Sequence, residues 1–296
     1  MRAAAAALPI RVSNPDKVFW PDDGYTKLDL ILYYDFVFPH LQPYVRDRLL
    51  SLERCPDGLR GQCFYQKEKP QGLPPDTPTK RIMHRVRATN YVVGGKRETQ
   101  LALANLGCIT IHVWGSRARQ PRKPDWVCFD LDPSSGTFAD AARAGLRVKG
   151  ALEALGLVSF PKTSGARGLH VFVPIRVGPD ADEVHEFAQA LGVLLAREYP
   201  DELTMEFAIA ARRGRVYLDP ARNAFGQTVA SPYSVRRLPK APISTPLSWD
   251  EVKPSLDPST FNLATIAKRL EKPDPWKEFF RRRQPLGPAM RGVAKL

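Results

Sequence analysis

The sequence has no apolar run approaching the roughly 18 residues that a membrane-crossing helix needs. A helical membrane span is therefore excluded, and no membrane partner is expected. The apolar stretch from Ala3 to Leu8 is short and has no convincing cleavage site, so no signal peptide is expected. Cysteine is scarce, with four residues at positions 55, 63, 108 and 128 and no C-x-x-C pair. A structural zinc site is accordingly not expected. Cys108 and Cys128 border or lie within apolar runs and read as core residues. Cys55 and Cys63 are close enough in sequence to pair, but the simpler expectation is an intracellular enzyme with free thiols, located in the cytoplasm. No internal repeat is evident beyond two βα units. Acidic residues are in deficit: 31 Asp and Glu face 44 Lys and Arg, a net charge of +13. That imbalance favours a polyanionic partner without separating nucleic acid from an anionic membrane surface. With 296 residues, 43% of them hydrophobic, the chain can bury a sizeable core as one large domain or two modest ones.

Thr26 and Asp29 form a capping-box pattern ahead of the apolar stripe Leu28, Ile31, Leu32 and Phe36, which predicts a helix bounded by Pro39 and Pro43. Lys67 to Lys80 is rich in Pro, Gly and charge and reads as a surface loop. Thr99 to Leu106 predicts a short helix closed by Gly107. Cys108 to Trp114 and Trp126 to Leu131 read as strands, and Thr137 to Leu155 as a helix. Val158 to Lys162 and Leu169 to Ile175 read as two further strands. Asp180 to Tyr199 reads as a helix capped by Asp180 and Glu183, and Gly214 to Leu218 as a strand leading to Asp219. From Trp126 the order is βαββαβ, the split-βαβ arrangement of ferredoxin-like and RNA-recognition folds. Right-handed crossovers put both helices on one face and leave the other for a substrate. The segment from Lys272, with Arg281-Arg282-Arg283 and Lys295, reads as a disordered basic arm or a solvated terminus.

Asp130-Leu131-Asp132 ends the apolar run Trp126 to Phe129. Residues two apart on a strand share a face, so both carboxylates leave on one side. Pro133 stops the ladder. Close carboxylates repel unless a cation neutralises them, and two divalent ions about 4 Å apart are a standard device for phosphoryl transfer. Asp219, also at a strand end before a proline, is the candidate third ligand. Ser164 to His170 holds two glycines, a hydroxyl and a guanidinium in a strand-to-strand turn, a composition suited to phosphate oxygens. His112 shares a strand face with Thr110 and Trp114. Arg212, Arg213, Arg215, Arg222, Arg236 and Arg237 surround Asp219 in sequence, as a triphosphate would require. Tyr65 is a candidate stacking platform for a base, whereas Phe64 reads as core. These residues admit a polymerase, a metal-dependent nuclease or phosphotransferase, or a noncatalytic nucleic-acid-binding module.

The ordered set Ser13-Asn14-Pro15-Asp16-Lys17-Val18-Phe19-Trp20-Pro21, Thr26-Lys27, Phe64-Tyr65-Gln66-Lys67, His112, Phe129-Asp130-Leu131-Asp132-Pro133, Ser164 to His170, Tyr217-Leu218-Asp219 and Pro232-Tyr233-Ser234-Val235-Arg236 resembles the polymerase domain of bacterial ATP-dependent DNA ligase D. That domain belongs to the archaeo-eukaryotic primase superfamily and acts in non-homologous end joining. The resemblance implies an α+β primase-polymerase fold, with a ferredoxin/RRM-like βαββαβ catalytic core and an N-terminal α/β part packed on it. It covers residues 11–270, divided into 11–107 and 108–270, with a flexible N-terminus at 1–10 and a basic tail at 271–296. It implies templated addition of nucleotides, ribonucleotides preferentially, to primer 3′ ends during gap filling at double-strand breaks. Asp130, Asp132 and Asp219 would be catalytic and hold two divalent ions, Mn2+ or Mg2+. Ser164 and His112 would contact the ribose 2′ hydroxyl. Tyr65 would stack on the base, and Arg167, Arg222 and Arg236 would bind the nucleotide's phosphates. Lys17 and Lys27 would grip the 5′ phosphate across a gap. The implied partners are DNA ends or a gapped duplex with a 5′ phosphate, NTP or dNTP, Ku and an ATP-dependent DNA ligase. Three departures stand out: Arg167 where Lys is common, Tyr65 for a frequent Phe, and Glu53 where a basic residue is expected.

Overall fold

The computed structural model describes residues 8–134 and 136–294. Residues 1–7, 135, 295 and 296 lie outside the described residues, and with them most of the N-terminal segment expected to be flexible and Lys295 of the tail.

The strands in chain order are β1 (Val18–Trp20), β2 (Tyr25–Thr26), β3 (Arg48–Arg54), β4 (Phe64–Gln66), β5 (Thr79–Met83), β6 (Ala88–Val92), β7 (Cys108–Arg117), β8 (Trp126–Pro133), β9 (Phe160–Thr163), β10 (Leu169–Pro174), β11 (Leu203–Thr204), β12 (Val216–Asp219) and β13 (Thr228–Ala230). The helices are α1 (Lys27–Val45), α2 (Arg97–Asn105), α3 (Phe138–Ala154), α4 (Ala181–Glu198), α5 (Ile209–Arg212), α6 (Ile266–Leu270) and α7 (Gly287–Val293), with three short 3₁₀ turns.

The fold is α+β and is built on two main sheets. One has the order β11-β12-β8-β10-β9 and the other β13-β7-β3-β4; β1-β2 and β5-β6 form small hairpins. Without β11, the first sheet has the order last-first-third-second of its βαββαβ unit, so β12 pairs directly with β8. Leu131, Leu169, Val171 and Leu218 alternate onto one face and bury against Ala141, Val148, Val184 and Leu191 of α3 and α4. Both helices thus cover one face, as the crossover rule requires. The opposite face is only partly open. At one end Trp126, Cys128 and Phe172 join the core of the second sheet, where Trp276 stacks on Phe279 with ring centroids 4.7 Å apart.

That stack corrects the expected basic arm. Trp276 and Phe279 are 2% and 0% exposed, and α7 buries Ala289 and Val293. The segment after Lys272 is charged at Arg281, Arg282 and Arg283, but its aromatics anchor it. Helix α1 corrects a second expectation. Its capping box forms as read, Asp29 N–H on Thr26 Oγ1 and Thr26 N–H on Asp29 Oδ2. It then runs through Pro39 and Pro43 to Val45. Each proline removes one ladder bond, and burial of Val37, Phe38, Leu41, Tyr44 and Val45 offsets the loss. Arg117 also donates to the Pro43 and Arg46 carbonyls at the helix end. Third, Cys55 and Cys63 are not free thiols but a disulfide. The β3–β4 pairing sets Arg54 opposite Phe64, so the next residues outward, Cys55 and Cys63, face each other. Phe64, read as core, is 40% exposed on the short strand β4. Cys108 and Cys128 are buried and unpaired, as expected. Among the described residues no helix is long and apolar enough to cross a membrane.

Candidate active site

The centre of the site is one rung of the first sheet. Asp219 pairs with Asp130, Asp130 with His170, and His170 with Lys162, across β12, β8, β10 and β9. Directly paired residues of antiparallel strands point to the same face, so four ionisable side chains line up on the face away from α3 and α4. Asp132, two residues on from Asp130, extends the row and pairs with Tyr217. The closeness of Asp219 to the carboxylate pair, expected from sequence, follows from this strand order.

Asp130 and Asp219 are each 5% exposed. Arg222, in the 3₁₀ turn after β12, stands between them: its Nε is 3.0 Å from Asp130 Oδ2 and 3.1 Å from Asp219 Oδ2. Burial lowers the guanidinium's proton affinity, but these carboxylates outweigh it and the pKa rises. Burial likewise pushes the Asp130 carboxyl up, while His170 and Arg222 pull it well below its ordinary value. The charge so fixed on Asp130, together with burial, raises Asp132 to about 7. Asp130 Oδ1 lies 3.1 Å from His170 Nε2 but is not aligned with it, and this buried oxygen lacks a hydrogen-bond partner. Burial and then the Lys162 charge lower His170 to about 4. Lys162 is fully buried, bonded to Ser244 Oγ and the Thr163 carbonyl, and burial lowers it to about 7.

The donor set suits a hard divalent cation: carboxylate oxygens, one of them buried and unpartnered, beside a mutually repelled pair. Among the described residues no three His, Cys, Asp or Glu side chains converge as a formed chelate. Arg222 neutralises Asp130 and Asp219 in the arrangement seen.

The loop from Ser164 to Gly168 borders this row. Ser164 Oγ accepts from the Ala166 and Gly168 N–H groups at 3.2 and 3.1 Å, which leaves its own proton to donate. Gly165 has φ +76°, and a Cβ there would lie 2.4 Å from Arg236 Cγ, so glycine is required on two grounds. Arg236 Nη1 donates to the Ser164 carbonyl at 2.7 Å, while its Nε is buried without a partner. Arg167 is exposed, its guanidinium against Gly136.

His112 projects from β7, its Nε2 buried and unpartnered, and burial followed by Arg236 and Arg222 keeps the ring neutral. Its ring is 5.6 Å from that of Tyr65, which is 62% exposed on β4. Glu53 is buried behind Tyr65 and accepts from Arg237 Nε at 2.8 Å. The pair explains how an acid is accommodated where a basic residue was expected.

Lys17 and Lys27 form a separate group. Lys27 begins α1, and its N–H donates to the Lys17 carbonyl at 2.8 Å. Its ammonium reaches Ser13 Oγ at 3.0 Å and the Asn105 carbonyl at 3.4 Å, while Lys17 pairs with Asp57. Burial, and then Lys17, lower the Lys27 pKa.

The structure thus brings Asp130, Asp132, Asp219, Arg222, Arg236, Ser164 and His112 near one another, with Tyr65 against His112 and Arg167 in the bordering loop. Arg222, expected on a triphosphate, meets carboxylates instead. Sequence reasoning assigned no role to His170 and passed over Lys162. The signal was available: a turn closed by Thr163 and Leu169 makes Lys162 and His170 the next pair of the hairpin.

Residues 26–276 match the family model described as LigD, primase-polymerase domain. The chain is 30% identical over 280 residues to the bifunctional non-homologous end joining protein LigD of Bacillus subtilis, covering 93% of this chain and 45% of that protein. It is 30% identical over 302 residues to the multifunctional non-homologous end joining protein LigD of Pseudomonas aeruginosa, covering 97% of this chain and 35% of that one. It therefore spans less than half the length of these relatives. The structure superposes on the polymerase domain of Mycobacterium tuberculosis ligase D in complex with DNA with a TM-score of 0.86 at 25% identity, over 93% of this chain and 99% of the other. The chain belongs to the LigD primase-polymerase domain family.

Proposed function

We propose that this domain is a nucleotidyltransferase that extends a primer 3′ end on a template, preferring ribonucleotides, during gap filling in non-homologous end joining. The observation that carries the reading is the rung that sets Asp219 beside Asp130, with Asp132 on the same face and a glycine loop and two arginines at its border. In the reaction the primer O3′ bonds to the α-phosphorus, the bond to the β-phosphate oxygen breaks, and pyrophosphate leaves. Two divalent ions, Mn2+ or Mg2+, held by Asp130, Asp132 and Asp219 would supply acidification of the 3′ hydroxyl and charge neutralisation at the phosphates.

The chain's own groups do the rest. Arg222 exchanges its carboxylate partners for triphosphate oxygens, joined by Arg236 and Arg167. The Ser164 hydroxyl, its oxygen already engaged by two N–H groups, donates to the ribose 2′ hydroxyl, which His112 Nε2 also meets. The unpartnered state of that nitrogen supports the assignment, since a buried polar atom without a partner is costly. Tyr65 stacks on the base. Lys17 and Lys27 bind the 5′ phosphate on the far side of the gap. The catalytic unit is proposed to run from residue 11 to 270, divided after 107, with 271–296 as a segment whose described residues pack back onto its core. DNA ends, Ku and an ATP-dependent ligase are the proposed partners, and the nucleoid the proposed location.

The test is primer extension on a gapped duplex bearing a 5′ phosphate, with manganese and either ribo- or deoxynucleotides, beside Asp130→Ala. Templated extension lost in the variant, with DNA still bound, is expected. Extension by Asp130→Ala would remove the carboxylate from catalysis.

A further inference from the structure

Lys17 does not face solvent alone. Its ammonium pairs with the Asp57 carboxylate, and the two side chains are 34% and 72% exposed. Asp57 lies in the loop from Cys55 to Cys63, closed at its base by the disulfide, where the Cα atoms are 4.3 Å apart. The loop is seated by backbone contacts on both sides. Leu59 N–H donates to the Phe19 carbonyl at 2.8 Å, and Cys55 N–H to the Gly107 carbonyl at 2.8 Å. Gly58 has φ +75°, and a Cβ there would lie 2.8 Å from the Val18 carbonyl oxygen, so only glycine lets the loop come this close to β1. The position of the Asp57 carboxylate is thus set by the loop and not by a long, freely rotating stem. An anionic oxygen on the Lys17 ammonium is also what a terminal phosphate would supply.

We propose that Asp57 is a specificity-determining residue: it occupies Lys17 as an internal stand-in for a DNA 5′ phosphate, and the Cys55–Cys63 disulfide braces the loop that holds it there. The inference rests on the reading of Lys17 and Lys27 as the 5′-phosphate site. A carboxylate tethered beside its cation competes at a high effective concentration. A phosphorylated end gains the Lys17 contact only by displacing Asp57, whereas an unphosphorylated end leaves the internal pair intact. Asp57 therefore sets how strongly the two kinds of end are told apart. Reduction by dithiothreitol converts the disulfide into two cysteine thiols, the reagent closing to its own cyclic disulfide. It loosens the loop and weakens the competitor.

The experiment measures affinity for a gapped duplex with and without a 5′ phosphate, by fluorescence anisotropy at low salt, using the full chain prepared without reductant. Asp57→Asn is expected to raise the preference for the phosphorylated gap about two- to five-fold, the range of an exposed ion pair. Dithiothreitol is expected to raise the wild-type preference in the same direction and to leave that of Asp57→Asn unchanged. A preference that Lys17→Ala abolishes but Asp57→Asn leaves at the wild-type value would overturn the assignment of Asp57. A wild-type preference indifferent to dithiothreitol, or alkylation of both Cys55 and Cys63 in unreduced protein, would overturn the brace. A preference that survives Lys17→Ala would overturn the phosphate site itself, and the inference with it.

Discussion

Lys162 holds its ammonium in a place with little to offset the burial. The ammonium is fully buried and bonded to one hydroxyl and one carbonyl. Burial brings its pKa from 10.5 to about 7. At 1.36 kcal/mol for each pH unit, that fall corresponds to about 5 kcal/mol of folding stability withheld when the lysine is protonated in both states. The sign follows from proton counts. Below pH 7 the folded and unfolded chains both carry the proton, and the cost is complete. Between 7 and 10.5 the unfolded chain holds a proton that the folded chain has lost, so this contribution to stability climbs with pH. Lys162→Met keeps the length of the side chain and removes the titration. Urea unfolding of wild type and variant at pH 7 and pH 9 isolates the effect, because groups not coupled to Lys162 cancel in the difference. The variant's advantage is expected to be larger at pH 7 than at pH 9 and to shrink by about 2 kcal/mol between them, the folded lysine being half protonated at the start of the interval. Two stability curves that stay parallel across this interval would show that Lys162 keeps its ordinary proton affinity, and the account of a buried cation at the end of the rung would fail.

Other consequences are open to direct measurement. Ser164→Ala or His112→Ala should narrow the ribo-to-deoxyribonucleotide ratio by about two- to ten-fold, the scale of one hydrogen bond; an unchanged ratio in steady-state extension would remove both from sugar recognition. Gly165→Ala forces a side chain onto a left-handed backbone and into Arg236, so the nucleotide KM should rise and stability should fall by about 1 kcal/mol or more in chemical denaturation. Phe279→Ala should cost about 3–5 kcal/mol in chemical denaturation, since the ring is completely buried on Trp276; a loss below 1 kcal/mol would mean that the C-terminal segment does not close the core.

How far the sequence could be read depended on how local the information was. The βαββαβ unit was legible because Asp180 and Glu183 cap α4, Thr137 precedes α3, and the apolar residues of β8 and β10 mark them as strands. Asp130, Asp132 and Ser164 could be picked out from position alone, at strand ends and in a glycine turn. The Cys55–Cys63 pair could not, because it depends on the register of β4, a three-residue strand with no buried position. Pro39 and Pro43 were misread as boundaries because local helix chemistry was outweighed by tertiary burial of their neighbours. The terminal segment was judged by its arginines, whereas Trp276 and Phe279 decided its placement. The joint between the sheets was equally hidden. Arg48 and Arg117, far apart in sequence, share Asp125, with Arg48 against the Trp126 ring and Arg117 over that of Phe280.

The rung from Asp219 to Lys162 ties the proposed chemistry to a single alignment of four strands. A slip of one residue at any of its three pairings exchanges the two faces of the slipped strand, turning its rung side chain to the helix side and its core residues out. The site therefore has no half-assembled form that retains partial competence. Mispairing or local fraying of the central sheet removes the carboxylates, the imidazole and the ammonium from one another together, and a molecule that has lost its register is silent on DNA instead of inaccurate on it.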